Sequence, residues 1–191
     1  LSYRGQPLQR RSHPNAFLSV ADRQVTDKSS NEAQEDLEYW KQRVNGYTPA
    51  NVDLLRPSPN RSVSESSGWA RLSYHLDEAE NASIFEQARL SGTTVPISLM
   101  SRFRDWLVQR SQEPLLIALT VANRPMDLAS YQEVVGPFTE MMLHPVSANN
   151  GDPSDLQTYL YKDLSHRRVS GNAVLRDLGI EPPRIVLSAV D

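Results

Sequence analysis

Apolar residues in this chain follow two rhythms, one of helical period and one of short continuous runs, and the two alternate along the sequence. Ala33, Leu37, Trp40 and Val44 repeat at helical spacing behind Asn31 and Gln34, which stand as in a capping box. With Gly46 as the stop, they predict a helix over 31–45. Ile84, Phe85 and Ala88 mark a short helix ending near Gly92, and Pro96 opens another whose buried stripe is Leu99, Met100, Phe103 and Leu107 with Trp106 beside it. Leu156, Tyr159 and Leu160 share one face of a further helix, and a last one starts near Ser170, buries Val174, Leu175 and Leu178, and stops at Gly179. Between these lie strand patterns: an alternating stretch at 69–76, buried runs at 114–121 and at 134–146 with a break at Pro137, and a terminal run at 183–190. Strands separated by helices predict a layered α/β arrangement.

The polar stretches complete the outline. Residues 1–30 are polar and poor in large apolar side chains apart from the stretch around Ala16, Phe17, Leu18 and Val20, which suits a connecting segment with one short anchor. Residues 48–68, with three prolines, read as an extended surface connection. At 191 residues the chain is long enough for one domain or for one lobe of a larger one.

Composition removes several classes of function. A net charge of −3 lacks the basic excess that holds a nucleic-acid backbone. The absence of cysteine excludes disulfides and thiol catalysis, and four scattered histidines give no metal-ligand spacing. No run approaches the ~18 apolar residues of a membrane span, and no signal-peptide core opens the chain, so a soluble cytoplasmic protein is expected.

Four motifs carry a family resemblance: EYWKQRVNG at 38–46, LLIALTVANR at 115–124, VVGPFTEMMLHPV at 134–146 and DLSHRRVSGNAVLRDLG at 163–179. Together they resemble the second half of a heterocyclization domain, the thiazoline- and oxazoline-forming relative of the condensation domains in nonribosomal peptide synthetases. The resembling signatures run F-L-L-N-L-T-L-F-N-R, V-G-D-F-T-S-L and D-L-E-H-R-R-Y-S-G-x-x-V-L-R-E-L. Leu119, Thr120, Asn123 and Arg124 match the first, Gly136, Phe138 and Thr139 the second, and His166, Arg167, Arg168, Ser170 and Gly171 the third. The resemblance implies a chloramphenicol-acetyltransferase-like half domain, a mixed sheet flanked by helices. It places the inter-lobe connection at 1–30 and the C-terminal lobe at 31–191, truncated at both ends.

The first lobe of that family supplies a D-x4-D-x2-S motif, or HHxxxDG in condensation domains, followed by a phrase that LSYRGQPL at 1–8 resembles. Asp22, Asp27 and Ser30 reproduce D-x4-D-x2-S by count, but they follow that phrase instead of preceding it, and the match is read as chance.

The reaction implied by the resemblance joins a carrier-bound acyl unit to a carrier-bound cysteine, serine or threonine and then expels water. Water loss calls for a hydroxyl and a carboxylic acid held together. Thr120 keeps the family's threonine, but Pro137 stands where the family has an aspartate, and Ala118 replaces an asparagine. Losing a general acid or base costs ~10² to 10⁴ in rate, which compromises cyclodehydration here. Glu140 is the nearest acid; in a regular strand it points away from the Pro137 face.

Thr120 and Glu140 are therefore the candidate catalytic residues, with Asn123, Pro137 and Thr139 along the substrate tunnel. Amide formation without cyclization, and a noncatalytic carrier-protein platform, fit the same departures. His166, Arg167 and Arg168 read as a solvated helix face or a structural hydrogen-bond cluster ahead of a phosphate site, and Tyr159, Tyr161 and Trp40 as packing residues. The implied partners are acyl and peptidyl carrier proteins, whose phosphopantetheine arms tether the substrates, and a first lobe. No directly bound cofactor and no metal are expected, and an uncovered lobe face would favour self-association.

Overall fold

The computed structural model describes residues 2–3, 6–7, 16–55, 71, 73–111, 113–122, 136, 138–148 and 152–188. In chain order, β1 (Ser2–Tyr3) and β2 (Gln6–Pro7) form a short antiparallel ladder, followed by helices α1 (Ala16–Lys28) and α2 (Asn31–Val44). Next come β3 (Thr48–Pro49), a 3-10 turn at Val52–Leu55, and helices α3 (Glu78–Leu90) and α4 (Val95–Arg110). Strands β4 (Leu115–Ala122) and β5 (Thr139–Val146), helices α5 (Pro153–Ser165) and α6 (Gly171–Leu178), and β6 (Val186–Ser188) complete the chain.

The sheet is organised around β4. Strand β5 runs antiparallel to it along its whole length, from Leu115 opposite Val146 to Ala122 opposite Thr139. That pairing occupies one edge of β4, so β3 and β6, both parallel to β4, share the other edge end to end. Arg184 N donates to Ala50 O at 2.9 Å and sews the two short strands together. The result is the mixed sheet expected from the sequence. Leu115 to Leu119 are all buried, as a strand covered on both faces requires.

The covering helices are placed by strand alternation. Met141 and Leu143 lie against Gly171 at the start of α6, whereas Met142 shares a pocket with Met100 of α4 and Leu160 of α5. Successive strand residues point to opposite faces, so α6 covers one face and α4 with α5 the other. Each helix has a local cause. Asp77 with Glu80, and Asp152 with Asp155, form capping boxes at α3 and α5. Ser170 caps α6, and Gly179, at φ 65°, ends it.

Several expectations change. Residues 16–28 form a helix where the sequence read as a connection: Val20 is fully buried, and Phe17 packs edge-on against Phe138 with ring centroids 6.2 Å apart. The cap of α2 is Ser30, whose Oγ accepts from Ala33 N at 3.1 Å, so no Asn31–Gln34 capping box forms. Residues 71 and 73–76, within the expected 69–76 strand, have no regular structure; 69, 70 and 72 lie outside the described residues. In α4 the buried residues are Ser98, Met100, Ser101, Arg104 and Leu107, while Leu99 is exposed. This helix is packed against α3, α5 and β5 at once. Tyr159 also faces outward, beneath the Arg43 guanidinium.

One core residue is polar without a partner. His144, opposite Ile117, is 1% exposed, and neither ring nitrogen meets a hydrogen-bond partner among the described residues. Burial, helped by the charges of Arg43 and Arg104, pushes its pKa down to about 3, so the ring is neutral.

Two predictions follow from this packing. A Cβ at Gly171 would sit 2.9 Å from the Met141 carbonyl oxygen, so Gly171→Ala should lower stability by about 1–3 kcal/mol in urea unfolding although alanine is the better helix former. His144 is neutral when folded but protonates near pH 6.5 when unfolded. Its contribution is complete above that pH and is lost as pH falls toward 3, by up to about 1.4 kcal/mol per pH unit. His144→Leu should flatten the stability profile between those limits; an unchanged slope would assign it to other groups.

Candidate functional site

The candidate site lies where β4 ends and β5 begins. Thr120 pairs with Met141, and Glu140 with Val121, one step further along the ladder. The two side chains therefore belong to opposite faces of the sheet, and the structure does not bring them together as a hydroxyl–carboxyl pair. Thr139 is exposed opposite Ala122. Asn123, Arg124 and Pro137 lie outside the described residues. Gly136 is described, and a side chain there would overlap the Phe17 ring, which ties α1 to the Gly136–Phe138 turn. Ala118 is buried in the centre of β4.

Two pockets flank this end of the sheet. Glu140 lines a small one with Trp40, Leu164, His166 and Gly171. A larger, apolar one lies between β4, α4 and α5; Thr120 is among its lining residues although its pairing with Met141 sets its side chain on the opposite, α6 face. Asp22 and Asp27, the spacing match to the first-lobe motif, stand five residues apart on α1, about 140° around its axis, and Ser30 is engaged in capping α2. They do not form a catalytic cluster. Among the described residues no group of histidines and carboxylates could hold a metal ion.

The third motif folds into a lock between α2 and the end of α5. The fully buried Asp163 accepts from Tyr39 Oη at 2.6 Å and from Arg43 Nε at 3.1 Å. Asp36, also buried, pairs with His166 Nδ1 at 2.9 Å and accepts from Arg168 N at 3.1 Å. Trp40 Nε1 donates to His166 O at 2.7 Å, and the Tyr39 ring stacks on the His166 ring at 3.8 Å. Burial, then the hydrogen bond to Asp163 and its charge, push the Tyr39 phenol above its ordinary range, so it stays a donor.

His166 and Arg168 are thus engaged as a structural cluster. Sequence reasoning missed the other half of it. The signal was an acid, Asp36, on the same helical face as Trp40 and Arg43, where a plain amphipathic helix would be apolar. Removing one member of a buried charged pair strands the other. Asp163→Ala should therefore cost about 3–5 kcal/mol and Tyr39→Phe about 1–3 kcal/mol in denaturant unfolding. Equal, small effects would show that the pair is dispensable.

The comparisons with known proteins agree with this architecture. The condensation-domain family matches residues 2–170. No curated protein matches the sequence. Among solved structures, the first condensation domain of the calcium-dependent antibiotic synthetase superposes with a TM-score of 0.73 at 13% identity, covering 98% of this chain and 41% of that one. The condensation domain from the Monacolin K polyketide synthase MokA gives a TM-score of 0.67 at 21% identity, with 98% and 44% covered. The X-domain from teicoplanin biosynthesis gives 0.65 at 15%, with 87% and 38% covered. The chain therefore spans less than half the length of each of these structures. With most of its length matched, a mixed sheet built on LLIALTVA and a fold shared with these chloramphenicol-acetyltransferase-like domains, the chain belongs to the condensation-domain family.

Proposed function

We propose that this chain is the C-terminal lobe of a condensation-type domain of heterocyclization lineage, which in its complete form joins carrier-bound acyl and aminoacyl units through an amide. The observation that carries the reading is the family match over 2–170, combined with a span of less than half of each solved domain compared above. The motif at 163–179, which spans the end of α5, a turn and α6, and the Phe138–Thr139 pair support the heterocyclization lineage. Residues 1–30 would connect the lobes, and 31–191 would form the lobe itself.

Amide formation is favoured over cyclodehydration. Proline at 137 cannot move a proton, and Glu140 is set on the opposite face from Thr120. The amine attacks the thioester carbonyl and the carrier thiol leaves; what the protein must supply is orientation, and a preorganised strand end suits that task. The substrates would arrive on phosphopantetheine arms of acyl and peptidyl carrier proteins, with no other cofactor required.

A second reading is a noncatalytic platform. It is favoured by the similarity to the X-domain of teicoplanin biosynthesis, which is also known in complex with OxyB, at a TM-score of 0.63 and 15% identity.

Intact-mass analysis of the downstream carrier, after turnover by the complete parent domain with cysteine-, serine- or threonine-loaded carriers, separates the possibilities. The expected product has the full mass of the condensed amide. A product lighter by one water would overturn the assignment and restore cyclization. Unreacted carrier with retained carrier binding would establish the platform.

A further inference from the structure

Gly136 lies in the turn that leads into β5, and glycine is not needed there for its backbone freedom. Among the described glycines only Gly46, Gly92 and Gly179 have positive φ. A side chain at Gly136 is excluded by a neighbour instead: Cδ2 and Cε2 of Phe17 occupy the place its Cβ would take. Phe138 forms the other wall of this socket. It is 7% exposed, its ring meets that of Phe17 edge-on, and its N–H donates to Gly136 O at 3.0 Å. Thr139 follows at once as the first residue of β5, with Glu140 next.

Helix α1 buries little else. Among its described side chains Val20 alone is buried, whereas Leu18 and Val25 are exposed, and beyond Lys28 the chain passes through Ser29 into the Ser30 cap of α2. The Phe17 ring thus fixes one end of α1 against the start of β5, and α2 fixes the other. An element with so little buried surface has low local stability and shifts without unfolding the rest. A ring seated on a backbone transmits such a shift because the contact has no slack: a gap of about 0.5–1 Å forfeits a quarter to a half of the dispersion attraction.

We propose that Phe17 is a positioning residue: its ring, seated on Gly136, holds the start of β5 in place, so that movement of α1 reaches Thr139 and Glu140. The value of this to catalysis rests on the reading of the chain as part of a condensation-type domain. In that reading residues 1–30 connect the two lobes, and the joint ties the strand end to the arrangement of the lobes. Glycine at 136 is then required by its partner, since an alanine there has room only if the ring leaves.

The test is hydrogen–deuterium exchange of the 191-residue chain, read at the amides of Phe138, Thr139 and Glu140. Phe17→Ala and Gly136→Ala should each speed this exchange about tenfold, with the centre of β4 unchanged. The double variant should exchange no faster than either single one, because each substitution removes the same contact. Val25→Ala, on the exposed side of α1, should change nothing. Unchanged exchange at 138–140 in Phe17→Ala, or additive effects in the double variant, would overturn the proposal.

In the complete parent domain, Phe17→Ala should lower kcat about tenfold at unchanged carrier KM, and Phe17→Leu, which still fills the socket, should recover most of the loss. Faster exchange with kcat unchanged, or a loss confined to KM, would overturn the positioning role. Because exchange reads no turnover, an inactive parent would sink the condensation reading and leave the joint to be decided by the exchange pattern alone.

Discussion

Everything in this fold depends on β4 being satisfied on all sides. It is hydrogen-bonded on both edges, by β5 along its length and by β3 and β6 end to end, and the sheet it centres is covered by helices on both faces. A strand so placed cannot carry a polar surface, which is why Leu115 to Leu119 are uniformly buried and why polarity returns only at Thr120, where the cover thins. The candidate chemistry therefore sits at the strand's end because only there can a hydroxyl occur without breaking the core.

The same logic explains what could be read from the sequence. The buried run 115–122 was visible because β4 needs apolar residues at consecutive positions, and helices α2, α5 and α6 were visible because each buries one stripe. Helix α1 was not, since its stability comes from Val20 and from the Phe17 contact with a turn about 120 residues away, and its own pattern is polar. Leu99 was misplaced because α4 has neighbours on three elements, so hydrophobicity alone does not say which side is inside.

The site was legible in part. Thr120 and Thr139 could be placed on their strands from motif spacing, but the relation between Thr120 and Glu140 depends on a register one residue out of step, which no periodicity reveals. The buried acids were harder still. Asp36 and Asp163 look like solvated helix residues until the fold brings Tyr39, Arg43 and His166 to them.

The lock between α2 and the end of α5 joins residues 120 to 132 positions apart. Helix α2 is made before α5, but the polar groups of Tyr39, Arg43 and Trp40 lack these partners until the chain has been extended through His166. Its polar groups must remain hydrated until then, so the helix is held open by its own chemistry instead of collapsing onto the first apolar surface it meets. The closing of these elements on one another thus waits for a short segment more than a hundred residues downstream of α2, which makes DLSHRR the clasp of the fold as well as its signature.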